Sequence, residues 1–163
     1  MTIIVSAATP DHIPAMAELL EEMDRFYGGE PQDPADVRAG QIRQALFADP
    51  PAAYALLAWV NDRLAGIASY SFLWPAVGLT RSLYLKELYV AKSAQRQGAG
   101  TALMRALAKV ATAHKCSRVE WTADADNDGA RRFYERLGQE GLATKVFYRA
   151  DIDAIGRLAG GGG

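Results

Sequence analysis

Leu83-Tyr84-Leu85-Lys86-Glu87-Leu88-Tyr89-Val90 runs into Ala91-Lys92-Ser93-Ala94, then Gln95-Arg96-Gln97-Gly98-Ala99-Gly100-Thr101, then an apolar-periodic run ending at Ala113. Leu, Tyr and Val dominate the first segment, which predicts a strand. In the last, Leu103, Met104, Leu107, Val110 and Ala111 recur at i, i+1, i+4, i+7 and i+8, one apolar stripe of a helix. A loop ending in two glycines joins them. The first N–H groups of a helix have no partner within it, and the helix dipole adds partial positive charge there. Gly98 and Gly100 carry no side chain to block a close ligand, so the turn suits a phosphate or pyrophosphate. The plainer reading is a strand-to-helix connection in which glycine relieves strain, and Gly-x-Gly alone does not separate the two. No Gly-Lys-Ser/Thr follows, so this is not a Walker loop, and the third glycine of the dinucleotide fingerprint is absent.

Around this stretch the chain is that of one globular domain. Its 163 residues are enough for a sizeable core, and a hydrophobic share of 50% excludes a disordered chain. A formal net charge of −1 argues against a general nucleic-acid binder, which carries a marked basic excess. No apolar run reaches membrane-spanning length. Met1-Thr2-Ile3-Ile4-Val5-Ser6 lacks the basic and long apolar regions of a signal peptide and reads as a first strand. The one cysteine, Cys116, reads as a structural thiol and suits a reducing cytoplasm. Two scattered histidines and one cysteine make no metal-ligand cluster, so no metal is expected.

In chain order, residues 3–7 read as an edge strand. A helix follows from Pro10, with Thr9 as cap and Ile13, Met16, Ala17, Leu20 and Met23 as its stripe. Its acids, Glu18, Glu21, Glu22 and Asp24, read as a solvated face or as an attractor for a cationic ligand. After a Gly- and Pro-rich break at 27–34, a second helix spans 35–48 and stops at Asp49-Pro50-Pro51. Strands at 53–60 and 63–73 flank the turn pair Asn61-Asp62, and Gly66 marks a bulge or a close backbone approach. A strand at 118–123, a helix at 127–137 capped by Gly138 and a final strand at 142–149 complete a mixed α/β layered domain.

Gln95-x-x-Gly98-x-Gly100 resembles the acetyl-CoA pyrophosphate motif of the GCN5-related N-acetyltransferase (GNAT) superfamily, and Asn127-x-x-Ala130-x-x-Phe133-Tyr134-x-x-x-Gly138 resembles its second signature. The two lie in the family's order and spacing, and the resemblance covers residues 3–149. It implies a single-domain GNAT fold over 1–157 with a disordered glycine-rich tail at 158–163: a mixed, mostly antiparallel sheet, flanked by helices and splayed between its fourth and fifth strands. It implies that acetyl-CoA lies in that splay. Gln95, Arg96, Gln97, Gly98, Ala99, Gly100 and Thr101 would hold the pyrophosphate, the main chain of Leu88, Tyr89 and Val90 would pair with the pantetheine arm, and Asn127 and Ala130 would border it.

Amine acetylation requires the amine to lose a proton, the oxyanion to be stabilised and the thiolate to be protonated. The resemblance makes Tyr134 the acid, and a phenol of pKa near 10 matches a thiolate leaving group. Glu87, on the central strand, would be the base, acting through a water. Phe26, Tyr27 and Trp74 are candidates for lining the acceptor pocket.

Closer still, Tyr84-Leu85-Lys86-Glu87-Leu88-Tyr89-Val90 resembles the diamine (spermidine/spermine) branch, except that Lys86 replaces the first of its two acids. A lysine near the pocket repels a polycation, and strand alternation would put Lys86 and Glu87 on opposite faces, so that only one of them lines it. The acceptor expected is a small-molecule primary amine, a polyamine or an amino acid. The alternatives are an antibiotic amine, a protein or peptide amine, and a non-catalytic acyl-CoA sensor. Homodimers are common in the family. No nucleic acid or membrane partner is implied.

Overall fold

The computed structural model describes residues 1–30 and 33–161. Pro31 and Gln32, within the break read at 27–34, and Gly162 and Gly163, within the tail, lie outside the described residues. The chain divides into two compact units, Met1–Thr122 and Ala123–Gly163.

The first unit is built on one five-stranded sheet with its strands in sequence order. These are β1 (Ile3–Ala7), β2 (Tyr54–Val60), β3 (Arg63–Leu73), β4 (Ser82–Val90) and β5 (Arg118–Glu120). The first four pair antiparallel, and β5 joins β4 in parallel. Helices α1 (Ile13–Phe26) and α2 (Ala35–Phe47) separate β1 from β2, and α3 (Ala99–Ala113) leads from β4 to β5. The β2–β3 hairpin turns at Asn61 and Asp62, both left-handed (φ 49° and 63°), as a turn that follows the strand twist requires.

Contacts assign the two faces of the sheet. A Cβ on Gly66 would come within 3.1 Å of Leu103 Cδ1 on α3, so Gly66 and its partner Val90 face α3. Gly66 also sits beside a bulge: Ala58 pairs with Gly66 and Trp59 with Leu64, leaving Ala65 over. Both meanings offered for this glycine therefore hold. Leu57, Leu83, Leu85, Leu103 and Leu107 are fully buried, as is Met16 of α1, so a core lies on each side of the sheet.

A second bulge sits in β4. Ser69 pairs with Glu87, but Tyr70 pairs with Leu85, which leaves Lys86 as the extra residue. Leu85, the partner of Tyr70, therefore faces α3, while Glu87 and Tyr89 face the α1 side. Leu85 is buried and Lys86, the inserted residue, is exposed. Regular alternation is interrupted between Leu85 and Glu87, which lie on opposite faces, because an inserted residue cancels one step of the pleat.

The second unit contains α4 (Asp128–Arg136) and α5 (Ile152–Ala159) and no strand among its described residues. The expected strand at 142–149 is not formed: residues 143–144 are a turn, and 145–150 pair with nothing in a ladder. Val146-Phe147-Tyr148 has strand composition, but β structure exists only with a partner edge. The helix α5 was not foreseen. Asp151 caps it, accepting the Ala154 N–H at 2.8 Å, and it runs to Ala159, into the stretch read as tail.

Candidate active site

The parallel ladder between β4 and β5 covers only Ser82–Arg118, Leu83–Val119 and Tyr84–Glu120. Beyond Tyr84, β4 continues to Val90 paired with β3, and no strand among the described residues pairs with its other edge. The strand read at 118–123 thus stops at Glu120, the point from which the expected splay would open. A run of β4 main chain is left with an open edge, the setting in which an extended ligand can add as a strand. The bulge at Lys86 lies at the start of that edge.

The edge leads into the glycine loop. Ala91 and Ala94 are buried and anchor a short 3₁₀ turn, and Gln95 Nε2 donates to the Val90 carbonyl at 3.5 Å. Arg96 (φ 65°) and Gly98 (φ 93°) are both left-handed, which bends the chain sharply into α3. Gly98 is the residue before the first helical turn, and no side chain caps it. The first N–H of α3 bonded back to the loop is that of Ala102, to the Gly98 carbonyl at 3.0 Å. The amides of Ala99, Gly100 and Thr101 precede it, and with the dipole of a 15-residue helix behind them they suit a diphosphate.

On the α1 face of β4 the structure gathers Glu87, Tyr89, Phe26 and Tyr27. The ring of Phe26 lies 5.9 Å from that of Tyr89 and 5.1 Å from that of Tyr27. Tyr89 Oη donates to Glu22 Oε2 at 2.6 Å, and the Lys92 N–H donates to the same oxygen at 3.2 Å. Burial, then the bond to the Glu22 carboxylate, raises the Tyr89 pKa above the ordinary phenol value, so Tyr89 stays a neutral donor. Glu22 thereby ties α1 to the end of β4 and the start of the loop.

Two of the other α1 acids are also occupied. Glu21 pairs with Arg25 at 2.6 Å and with Arg38 at 3.6 Å, and Asp24 pairs with Arg38 at 3.2 Å, so α1 and α2 are clamped. Reading these acids only as a solvated or substrate-attracting face missed this work. The spacing of Arg38 offers no local signal for it, since the partners lie 14 and 17 residues apart.

Trp74 is not part of this group. It follows the Leu73–Ser82 pair at the other end of β4, and its Nε1–H donates to the Leu79 carbonyl at 2.8 Å. Five residues of strand rise separate Ser82 from Glu87, roughly 16 Å. Cys116 is a free, half-buried thiol.

In the second unit, Asn127 caps α4, its side chain accepting the Ala130 N–H at 3.1 Å. Gly138 (φ 81°) closes the helix: its N–H bonds the Glu135 carbonyl and that of Gln139 bonds the Tyr134 carbonyl. The two motif ends therefore fix the helix that carries Tyr134, which is half-buried beside Phe133 at 5.2 Å between ring centroids. Among the described residues no group of three or more His, Cys, Asp or Glu is placed to hold a metal, and no helix is long and apolar enough to cross a membrane.

A family model described as "Acetyltransferase (GNAT) family" matches residues 14–139. A curated human relative, "Spermidine/spermine N(1)-acetyltransferase-like protein 1", is 25% identical over 120 residues, which is 69% of this chain and 17% of that protein, so the chain spans a small part of its length. Among solved structures, an integron cassette protein from the mobile metagenome of V. cholerae is 28% identical, with a TM-score of 0.88 over 98% of both chains. An aminoglycoside N-acetyltransferase, AAC(6')-Iy, solved in complex with CoA, shares the fold at 18% identity, with a TM-score of 0.73 over 91% of this chain and 95% of that one.

Proposed function

This chain belongs to the acetyltransferase (GNAT) family, and from that premise we propose that it transfers the acetyl group of acetyl-CoA to the primary amine of a small molecule, by direct attack in a ternary complex. The observation that carries this reading is the open edge of β4 running into an uncapped, glycine-bearing N-terminus of α3. The main chain of Leu88, Tyr89 and Val90 pairs with the pantetheine arm. The loop from Gln95 through Arg96, Gln97 and Gly98, with the first amides of α3 at Ala99, Gly100 and Thr101, holds the pyrophosphate. CoA in the AAC(6')-Iy structure supports this choice of cofactor.

In the reaction, Glu87 draws a proton from the ammonium group through a water, and the free amine attacks the thioester carbon. Main-chain N–H groups near the β4 bulge face the oxyanion that forms. As the C–S bond breaks, the Tyr134 phenol gives its proton to the departing sulfur and recovers one from the nitrogen of the new amide. Asn127 and Ala130 border the pantetheine end, and Phe26 and Tyr27 line the acceptor side.

Thiol release from acetyl-CoA, measured near pH 8 against polyamines, amino acids, aminoglycosides and peptides, tests the reading. Turnover with at least one small amine is expected. No thiol release with any amine, while acetyl-CoA still raises the melting temperature, would favour a non-catalytic acyl-CoA sensor. A polyamine acceptor is the second reading, favoured by the name of the human relative.

A homodimer accompanies this proposal. No described residue of the second unit is buried, and Leu142, Val146, Phe147, Tyr148, Ile152, Ile155 and Leu158 are 56–87% exposed. Across a two-fold axis, seven such side chains per copy at about 100 Å² each give roughly 1,400 Å², a standard interface. Sedimentation should give twice the 17.6 kDa chain mass, and a single-chain mass at all concentrations would exclude the dimer.

A further inference from the structure

The main chain read to pair with the pantetheine arm is held from α1. Tyr89, only 5% exposed, lies on the α1 side of the sheet, and its hydroxyl ends 2.6 Å from Glu22 Oε2. One turn further along α1, the Phe26 ring lies 5.9 Å from the same tyrosine ring between centroids. The helix thus grips Tyr89 at both its polar and its apolar part.

Glu22 also reaches past the strand. The same Oε2 accepts the Lys92 N–H at 3.2 Å. Lys92 opens the 3₁₀ turn that leads into the glycine loop, and the first N–H groups of such a turn have no acceptor within it. The residue before it, Ala91, is tied to β3, its N–H donating to the Ala65 carbonyl at 2.7 Å. Two consecutive amides are therefore held where the chain leaves β4 for the loop, one by sheet backbone and one by a helix carboxylate. Hydrogen bonds to a carboxylate are stronger than those between neutral groups, so this is a firm attachment.

We infer that Glu22 is a positioning residue for acetyl-CoA: by holding the Tyr89 hydroxyl and the Lys92 N–H with one oxygen, it fixes the end of β4 against the start of the loop, so that the pantetheine edge and the pyrophosphate amides receive the cofactor in one register. It acts through these two residues and not on the reacting atoms. Because Glu22 and Phe26 share a face of α1, this part of the helix tightens when the cofactor seats. The inference rests on the acetyl-CoA reading given above.

Calorimetric titration of acetyl-CoA into the full chain tests it. Glu22→Ala should weaken binding about tenfold, through loss of two hydrogen bonds to a charged acceptor. Glu22→Gln, whose amide oxygen still accepts, should restore most of the affinity. Tyr89→Phe should lose less than Glu22→Ala, since the Lys92 bond survives, and combining the two should weaken binding no further than Glu22→Ala alone. Asp24→Ala is the control for a merely structural effect. It breaks the 3.2 Å pair with Arg38 on α2, and should lower the melting temperature while leaving the affinity unchanged.

Hydrogen exchange at saturating acetyl-CoA gives a readout independent of affinity. The cofactor should raise the protection of amides 22–26 in the parent protein and in Asp24→Ala, and not in Glu22→Ala. Parent affinity in both Glu22→Ala and Tyr89→Phe, an equal loss in Asp24→Ala, or α1 protection that persists without Glu22 would each overturn the inference while leaving the acetyl-CoA reading intact. No binding of acetyl-CoA by the parent would overturn that reading and this inference with it, so the two failures are told apart.

Discussion

Replacing Tyr134 with phenylalanine lowers kcat by about 10²–10⁴-fold, the range of a lost general acid, and leaves the affinity for acetyl-CoA unchanged. The ring stays in place in the variant. It is held beside Phe133, on a helix closed at one end by the Asn127 cap and at the other by the Gly138 turn. Only the phenolic hydroxyl is removed, and with it the proposed donor to the departing sulfur. Single-turnover acetylation and calorimetric titration of acetyl-CoA read the two effects separately. A kcat equal to that of the parent with several amines would remove Tyr134 from the mechanism.

Gly98→Val weakens acetyl-CoA binding by about 10- to 100-fold. Gly98 holds φ at 93°, a conformation that a β-branched residue adopts only under strain of about 1–3 kcal/mol. The variant relieves that strain by shifting the loop, which moves the first amides of α3 off the pyrophosphate. The space around Gly98 is not the obstacle, since an added Cβ would meet only Ile3 Cδ1, at an ordinary 3.6 Å. The cost is therefore conformational and falls on the loop, so the first unit should keep its cooperative melting. Unchanged affinity would mean that this loop does not hold the phosphates.

The elements that could be read from sequence are those decided locally. Asn61-Asp62 names its own turn, Asp49-Pro50-Pro51 ends α2, and the stripe of Leu103 and Leu107 gives α3 its buried face. The glycine loop was legible for the same reason, because Gly98 and Gly100 carry the motif within a few residues. Features that depend on distant partners were not. Val119 and Trp121 belong to one strand-like run, yet the ladder ends at Glu120. Val146-Phe147-Tyr148 reads as a strand and pairs in no ladder. The bulge at Lys86 has no glycine or proline to announce it, and it puts Leu85 and Glu87 on opposite faces. Glu22 looks like any acid on a polar helix face until Tyr89, 67 residues away, donates to it.

The central claim is that the open edge of β4 and the N-terminus of α3 form one cofactor site. Titrating acetyl-CoA into isotope-labelled protein and following the backbone amides tests it most directly. The account predicts that the largest shifts fall on Leu88, Tyr89 and Val90 together with Gly98, Ala99, Gly100 and Thr101, saturating at a single affinity. Saturable binding that leaves these amides unmoved and shifts others would contradict it.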